Sequence, residues 1–195
     1  MGQTSRILVS FAALVLTGCK YETTPDPAVS TRDTKWMAIV GDREPEVGHL
    51  RYLMNDDTGE APGTIVVDTR SKFLSYVLPN KKMMRYGVAV GSEAFGWTGV
   101  ARVARKAEWP DWNPPDEMKE RWSHVHPVRG GPNSPLGARA LYLFDGNRDT
   151  LYRIHGTNEP ETIGRAVSSG CIRMRNIDVI DLYNRVALNA KVIVR

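Results

Sequence analysis

A mostly β domain with one or two short helices is the fold class this sequence predicts, and three observations carry the prediction. Runs of β-branched and aromatic residues too short for helices recur from Thr64 onward. Clusters of Asp, Asn, Gly, Pro and Lys punctuate them. Helical spacing of apolar residues over several turns is found after Asn176. Hydrophobic residues are 42% of the 195, ordinary for a globular chain and enough for one domain with a proper core. The net charge of +4, with no Lys/Arg run, gives no ground for nucleic acid as a partner.

At the N-terminus, Arg6 precedes an apolar run, Ile7 to Leu16, too short to cross a bilayer as a mature helix but right for a signal-peptide core. The run ends in Leu16-Thr17-Gly18-Cys19, which resembles the lipobox of bacterial lipoproteins. The resemblance implies cleavage after Gly18, so that residues 1–18 are a lipoprotein signal peptide, and acyl chains on Cys19 as a stable anchor. The plainer alternative is a secretory signal with an incidental cysteine. The two cysteines of an exported chain would ordinarily pair. A lipidated Cys19 leaves Cys171 as a free thiol. Residues 19–35, with Thr23-Thr24-Pro25-Asp26-Pro27, read as a lipidated flexible tether, and residues 36–63 as an N-terminal extension of a domain formed by residues 64–195.

Ile65-Val66-Val67 and Phe73 to Leu78 read as strands about the turn Asp68 to Lys72; Pro79 to Lys82 turns again, and Arg85 to Val90 follows as a strand. Ala140 to Phe144 and Leu151 to His155 form a hairpin through Asp145-Gly146-Asn147. Residues 106–139, rich in Pro, Gly and Trp, read as a long insert acting as a lid or binding surface, with a short helix opening at Pro114-Pro115-Asp116-Glu117. Asn176 is the expected N-cap of a helix bearing Val179, Ile180, Tyr183, Val186 and Ala187 on one stripe, and Lys191 to Val194 closes as a strand.

The chemistry concentrates in Ser168-Ser169-Gly170-Cys171-Ile172-Arg173-Met174 and Tyr152-Arg153-Ile154-His155-Gly156-Thr157. A thiol needs a base to become a nucleophile near neutral pH, and an attacked carbonyl needs donors for its oxygen. In an extended segment Ser169, Cys171 and Arg173 share one face, and Ile172 and Met174 the other. Cys171 is the candidate nucleophile and His155 the candidate general base. Gly170, Arg173, Ser169, Gly156 and Thr157 are the oxyanion and substrate-binding candidates. The bland readings are an inert buried cysteine, a core histidine and surface arginines, the last also assigned to Arg175. His124 and His126 have no regular ligand spacing, so no metal site is assigned, and His49 reads as surface or structural. Trp97, Trp109, Trp112 and Trp122 read as core, with some available to wall a peptide groove.

These residues resemble the L,D-transpeptidase catalytic domain, the YkuD family of peptidoglycan enzymes, from about Thr64 to Val194. The match lies in Ile154 to Thr157, Gly164, and Ser168 to Met174 with Asn176 and Asp178. Trp112-Asn113-Pro114-Pro115 with Met118, and Gly131 to Arg139, support it. The resemblance implies a β-sandwich-like fold and no metal or organic cofactor. It also implies that Cys171 attacks the diaminopimelate carbonyl of a tetrapeptide stem, releases D-alanine and leaves a thioester. A second stem's amine would resolve it as a 3–3 cross-link; a protein amine, on an outer-membrane protein or lipoprotein, would attach that protein to the wall. Many members carry histidine where this chain has Ser169. The alternatives are a hydrolase on the same scaffold (an L,D-carboxypeptidase or amidase) and a non-catalytic peptidoglycan-binding lipoprotein. Lipidation implies a domain facing the periplasm, with Lys20 after the anchor favouring the outer membrane.

Overall fold

The computed structural model describes residues 21–41, 43–92, 96–121 and 124–195. Residues 1–18, read from the sequence as a signal peptide, and Cys19 lie outside them. The described chain opens with strand β1 (Glu22–Thr23) and helix α1 (Thr31–Val40). A capping box starts α1, with the Asp33 N–H donating to Ser30 Oγ at 3.1 Å and the Ser30 N–H to Asp33 Oδ2 at 3.2 Å. Gly41, at φ 73°, ends it in the left-handed conformation. Residues 22–35, within the expected flexible tether, therefore pack on the domain together with the rest of α1. The composition concealed this because Asp33, 1% exposed, finds its buried partners Trp109 and Arg139 76 and 106 positions along the chain.

The extension continues into β2 (Tyr52–Asn55), a sheet member that pairs with both β1 and β5 (Lys82–Gly87). β3 (Ile65–Asp68) and β4 (Phe73–Leu78) fall where predicted, and Asp68 Oδ1 accepts the Arg70 and Ser71 N–H groups in their turn. The strand expected over 85–90 is split: β5 ends at Gly87 and β6 (Val90–Gly91) pairs elsewhere. β7 (Gly99–Glu108) was not foreseen, because arginines and alanines dilute its apolar alternation. Its register against β8 (Arg139–Asp145) runs to Glu108↔Arg139, shortening the expected insert. Helix α2 (Asp116–Arg121) lies in that insert as predicted.

β8 and β9 (Arg148–His155) form the expected hairpin. After them come β10 (Ala166–Ser168), β11 (Ile172–Arg173), α3 (Asn176–Arg185) and β12 (Lys191–Val194). The larger sheet has the order β1-β2-β5-β4-β3-β12-β7-β8-β9-β11; β6 and β10 form a parallel pair beside it. A twisted sheet of ten strands curls on itself. Ile65, Leu74 and Tyr86 at one end accordingly share a core with Leu141, Leu143 and Ile154 at the other, sealed by Val179, Ile180 and Leu182 of α3. The architecture is mostly β with three short helices among the described residues, none long and apolar enough to cross a membrane.

Candidate active site

β11 lies parallel to β9 with Ile172 level with Ile154 and Arg173 with His155. Ile154 and Ile172 are buried, so one face of the pair feeds the core. Alternation turns Arg153, His155, Cys171 and Arg173 to the opposite face, with Cys171 one diagonal step from His155. Parallel pairing thus brings together residues 16 positions apart. The continuous strand expected from Ser169 to Met174 is not formed. Gly170, at φ 113°, breaks it, and Ser168 closes a turn: its Oγ donates to the Cys171 carbonyl at 2.6 Å and accepts the Gly170 N–H at 3.2 Å. Ser169 is left exposed at the tip, outside the alternation that aligns Cys171 with Arg173.

His155 is buried, and its Nδ1 lies 2.6 Å from the Gly156 carbonyl oxygen. A carbonyl only accepts, so Nδ1 carries the proton and Nε2 keeps its lone pair. Burial holds the imidazolium form down, aided by the Arg173 and Arg153 guanidiniums and opposed by the Gly156 bond, so the pKa falls to about 4. Burial pushes the Cys171 thiol up; the Arg153 N–H and the Arg153 and Arg173 charges oppose it. The resting pair at neutral pH is therefore a thiol beside an uncharged imidazole. The sulfur also lies 3.9 Å from the Leu151 carbonyl, which is turned there by Leu151's φ of 63° in β9. That conformation costs a non-glycine residue about 1 kcal/mol or more.

Both arginines are engaged. Arg153 forms a two-pronged pair with Asp149 at 2.8 and 2.9 Å, and Arg173 Nη1 donates to Glu159 Oε2 at 2.7 Å. The Gly156 N–H donates to the Arg139 carbonyl at 2.9 Å and the Thr157 N–H to Asn176 Oδ1 at 3.3 Å, so both are taken up within the fold. Asn176 is not the N-cap: Arg175 holds that position and Asn176 is the first helical residue. Its buried amide instead accepts the Ala138 N–H at 2.8 Å and donates to the Thr157 carbonyl at 2.8 Å. Arg175, read from sequence as surface, is buried because its Nε donates to Asp178 Oδ2 at 3.0 Å.

A cavity of about 340 Å³ opens beside the Gly170 turn, lined among others by Arg70, Lys72, Trp97, Gly170 and Ile172. Trp97 stacks on Tyr152 with centroids 5.3 Å apart, Trp109 is core, and Trp122 lies outside the described residues. His49 packs as a structural residue, stacked on Phe73 at 5.2 Å. His124 and His126 are exposed, and among the described residues no group of three or more His, Cys, Asp or Glu side chains is placed to hold a metal.

Sequence reasoning missed Ser168, Leu151, Glu159, Arg139 and Asp33 at this site. Ser168 was read as small and polar; the others act through backbone atoms or partners distant in sequence.

The fold is that of the L,D-transpeptidases. A structure titled L,D-transpeptidase from Mycobacterium smegmatis superposes with a TM-score of 0.54 over 75% of this chain and 67% of that one, at 15% identity. The profile of the L,D-transpeptidase catalytic domain, YkuD, matches residues 62–194, and the chain belongs to that family. It is 35% identical over 133 residues to a protein described as putative L,D-transpeptidase YqjB of Bacillus subtilis, covering 67% of this chain and 69% of that one. Against the probable L,D-transpeptidase ErfK/SrfK of Escherichia coli it is 32% identical over 136 residues, 66% of this chain and 42% of the relative's length. A Brucella melitensis structure titled probable carnitine operon oxidoreductase caia is 47% identical over 71% of this chain and 88% of that one, with a TM-score of 0.52.

Proposed function

We propose that this chain is a cysteine-dependent L,D-transpeptidase acting on peptidoglycan tetrapeptide stems. The observation that carries the reading is the parallel β9–β11 register, which sets Cys171 diagonal to an imidazole whose Nδ1–H is held by Gly156. His155 Nε2 takes the thiol proton as Cys171 Sγ attacks the diaminopimelate carbonyl. The carbonyl oxygen becomes an oxyanion beside the Gly170–Cys171 turn, where the Arg173 charge offsets it. Collapse breaks the peptide bond; the imidazolium returns its proton to the departing D-alanine nitrogen, leaving a thioester and neutral His155. A base held near pKa 4 is, once protonated, a strong acid, which suits protonation of an amine leaving group. In the second half an amine attacks the thioester, passes a proton to His155, and the thiolate leaves and takes it back.

The cavity beside Gly170 offers Arg70 and Lys72 to the carboxylates of the stem, with Trp97 as an apolar wall. The acceptor in this reading is a second stem's diaminopimelate amine, giving a 3–3 cross-link, or an amine of an envelope protein. Cys19 carries the lipid anchor, preferably in the outer membrane, with the domain facing the periplasm. Incubation of residues 20–195 with disaccharide-tetrapeptides, followed by mass measurement, tests the reaction. Dimers lacking one D-alanine are expected with the wild type and none with Cys171→Ala. Tripeptides alone would assign the chain to hydrolysis, and no turnover with no carbapenem adduct on Cys171 would leave a non-catalytic binder.

A further inference from the structure

Asp33 stands outside the segment that matches the family and is the acid of α1 that the fold buries. Its carboxylate collects five hydrogen bonds. Oδ1 accepts from Trp109 Nε1 at 2.7 Å and Arg139 Nη1 at 3.0 Å; Oδ2 accepts from Arg139 Nη2 at 2.9 Å and from the Ser30 N–H and Oγ at 3.2 and 2.8 Å. Arg139 is 5% exposed, and its Nη1 also donates to the Ala138 carbonyl at 2.7 Å. The Trp109 N–H donates to that same carbonyl at 2.8 Å. One carboxylate thus clamps the end of β7 to the first residues of β8.

This corner touches the base through two further bonds. The Arg139 carbonyl accepts the Gly156 N–H, and the Gly156 carbonyl accepts His155 Nδ1–H. His155 itself pairs in register with Ala140, the residue after Arg139. Gly156 is therefore held at its N–H by Arg139 and spends its carbonyl on fixing the imidazole. Gly156 is closely packed on its side-chain side: a Cβ there would meet Asn176 Oδ1 at 2.3 Å and the Ala138 nitrogen at 2.8 Å.

We infer that Asp33, a residue of the N-terminal helix, is a positioning residue for His155, acting through Arg139 and Gly156. It touches neither substrate nor thiol. Its work is to hold the Arg139 main chain where the Gly156 peptide locks the imidazole with Nε2 toward Cys171. The inference rests on His155 serving as the base. It carries a consequence for this chain: the catalytic machinery extends beyond the matched segment, and α1 is part of it.

Three variants of residues 20–195 test it: Asp33→Ala, Asp33→Asn, which keeps the volume, and Asp33→Leu with Arg139→Met, which replaces the buried pair by apolar groups of similar size and restores stability lost with a single partner. Thermal melts select the variants that fold. Two readouts follow: the second-order rate of Cys171 acylation by a carbapenem across pH, and 15N NMR of the His155 ring. Arg153 and Arg173 face the ring beside Cys171, with Asp149 and Glu159 as their partners, and all remain intact in the variants. Every folded variant is expected to acylate at least fivefold more slowly at pH 7, to lose the single Nδ1–H tautomer, and to show an acid limb moved up toward the ordinary histidine range. A folded variant lacking the pair that acylates within fivefold of wild type and keeps that tautomer overturns the inference. Failure of wild type itself to acylate would instead overturn the proposed reaction, while the NMR comparison would still decide the link from Asp33 to His155.

Discussion

His155 makes a titration argument with a definite sign. An unfolded chain takes up the imidazole proton near pH 6.5, the folded one only near 4. Between those values the unfolded state binds more protons, so stability falls as pH drops through that window and is fully present above it. The full difference is worth about 3 kcal/mol. Urea midpoints should therefore decline from pH 7 to pH 4, and His155→Gln should flatten much of that slope. The acid limb of kcat/KM should likewise lie nearer 4 than 6.5; a limb at the ordinary histidine value would mean the ring is open to water. Ser168 allows a second prediction. Its hydroxyl ties the Cys171 carbonyl to the Gly170 N–H, so Ser168→Ala should slow Cys171 acylation about tenfold while changing Tm little, as read by carbapenem labelling and melting.

At the scale of elements, the meeting of β8, β9 and α3 around the Asn176 amide sets the tolerance of the site. A Cβ on Gly137 would lie 2.3 Å from Asn176 Oδ1 and 2.4 Å from the Thr157 nitrogen, and its φ of 58° disfavours a side chain as well. Gly137→Ala should cost about 3 kcal/mol in urea denaturation, whereas Gly146→Ala, in a turn with open space around it, should cost about 1 kcal/mol from its backbone alone. What was legible in the sequence follows the same division. β3, β4, β8, β9, α2, α3 and β12 could be read because turn residues and alternation are local signals. Cys171, His155 and Gly170 stand out in the sequence because thiol, imidazole and glycine declare their chemistry, and the β9–β11 pairing sets their segments side by side. β7 escaped because its apolar alternation is interrupted by Arg102 and Arg105, which lie over rings, Arg105 3.5 Å above Tyr142. Asn176 was noticed, but for the wrong bond: its partners Ala138 and Thr157 come from other elements. α1 escaped because the carboxylate that makes it worth folding is neutralised by an arginine of β8.

For the molecule as a whole, the packed N-terminal segment sets a length. Arg51 donates to Thr24 Oγ1, the Pro25 carbonyl and Asp26 Oδ1 at 3.0, 3.0 and 2.9 Å, and β1 pairs with β2 beginning at Glu22. With Cys19 acylated as proposed, three residue steps separate the anchor from a strand of the domain, a reach of about 10 Å when fully stretched. Such a protein would not sweep the periplasm on a leash; it would sit almost flush with the bilayer and work on whatever strands of the wall come down to it. A lengthened chain should then act where the native one does not. Inserting 20 Gly/Ser residues between Lys20 and Tyr21 should raise the yield of 3–3 cross-links when lipidated protein in vesicles meets intact sacculi, and leave the unlipidated enzyme unchanged on soluble muropeptides. Equal yields on sacculi from the short and long forms would disprove that geometry. In that picture the short stem works as a spacer: the height of the membrane, more than any feature of the cleft, chooses which layer of the wall the thiol can touch.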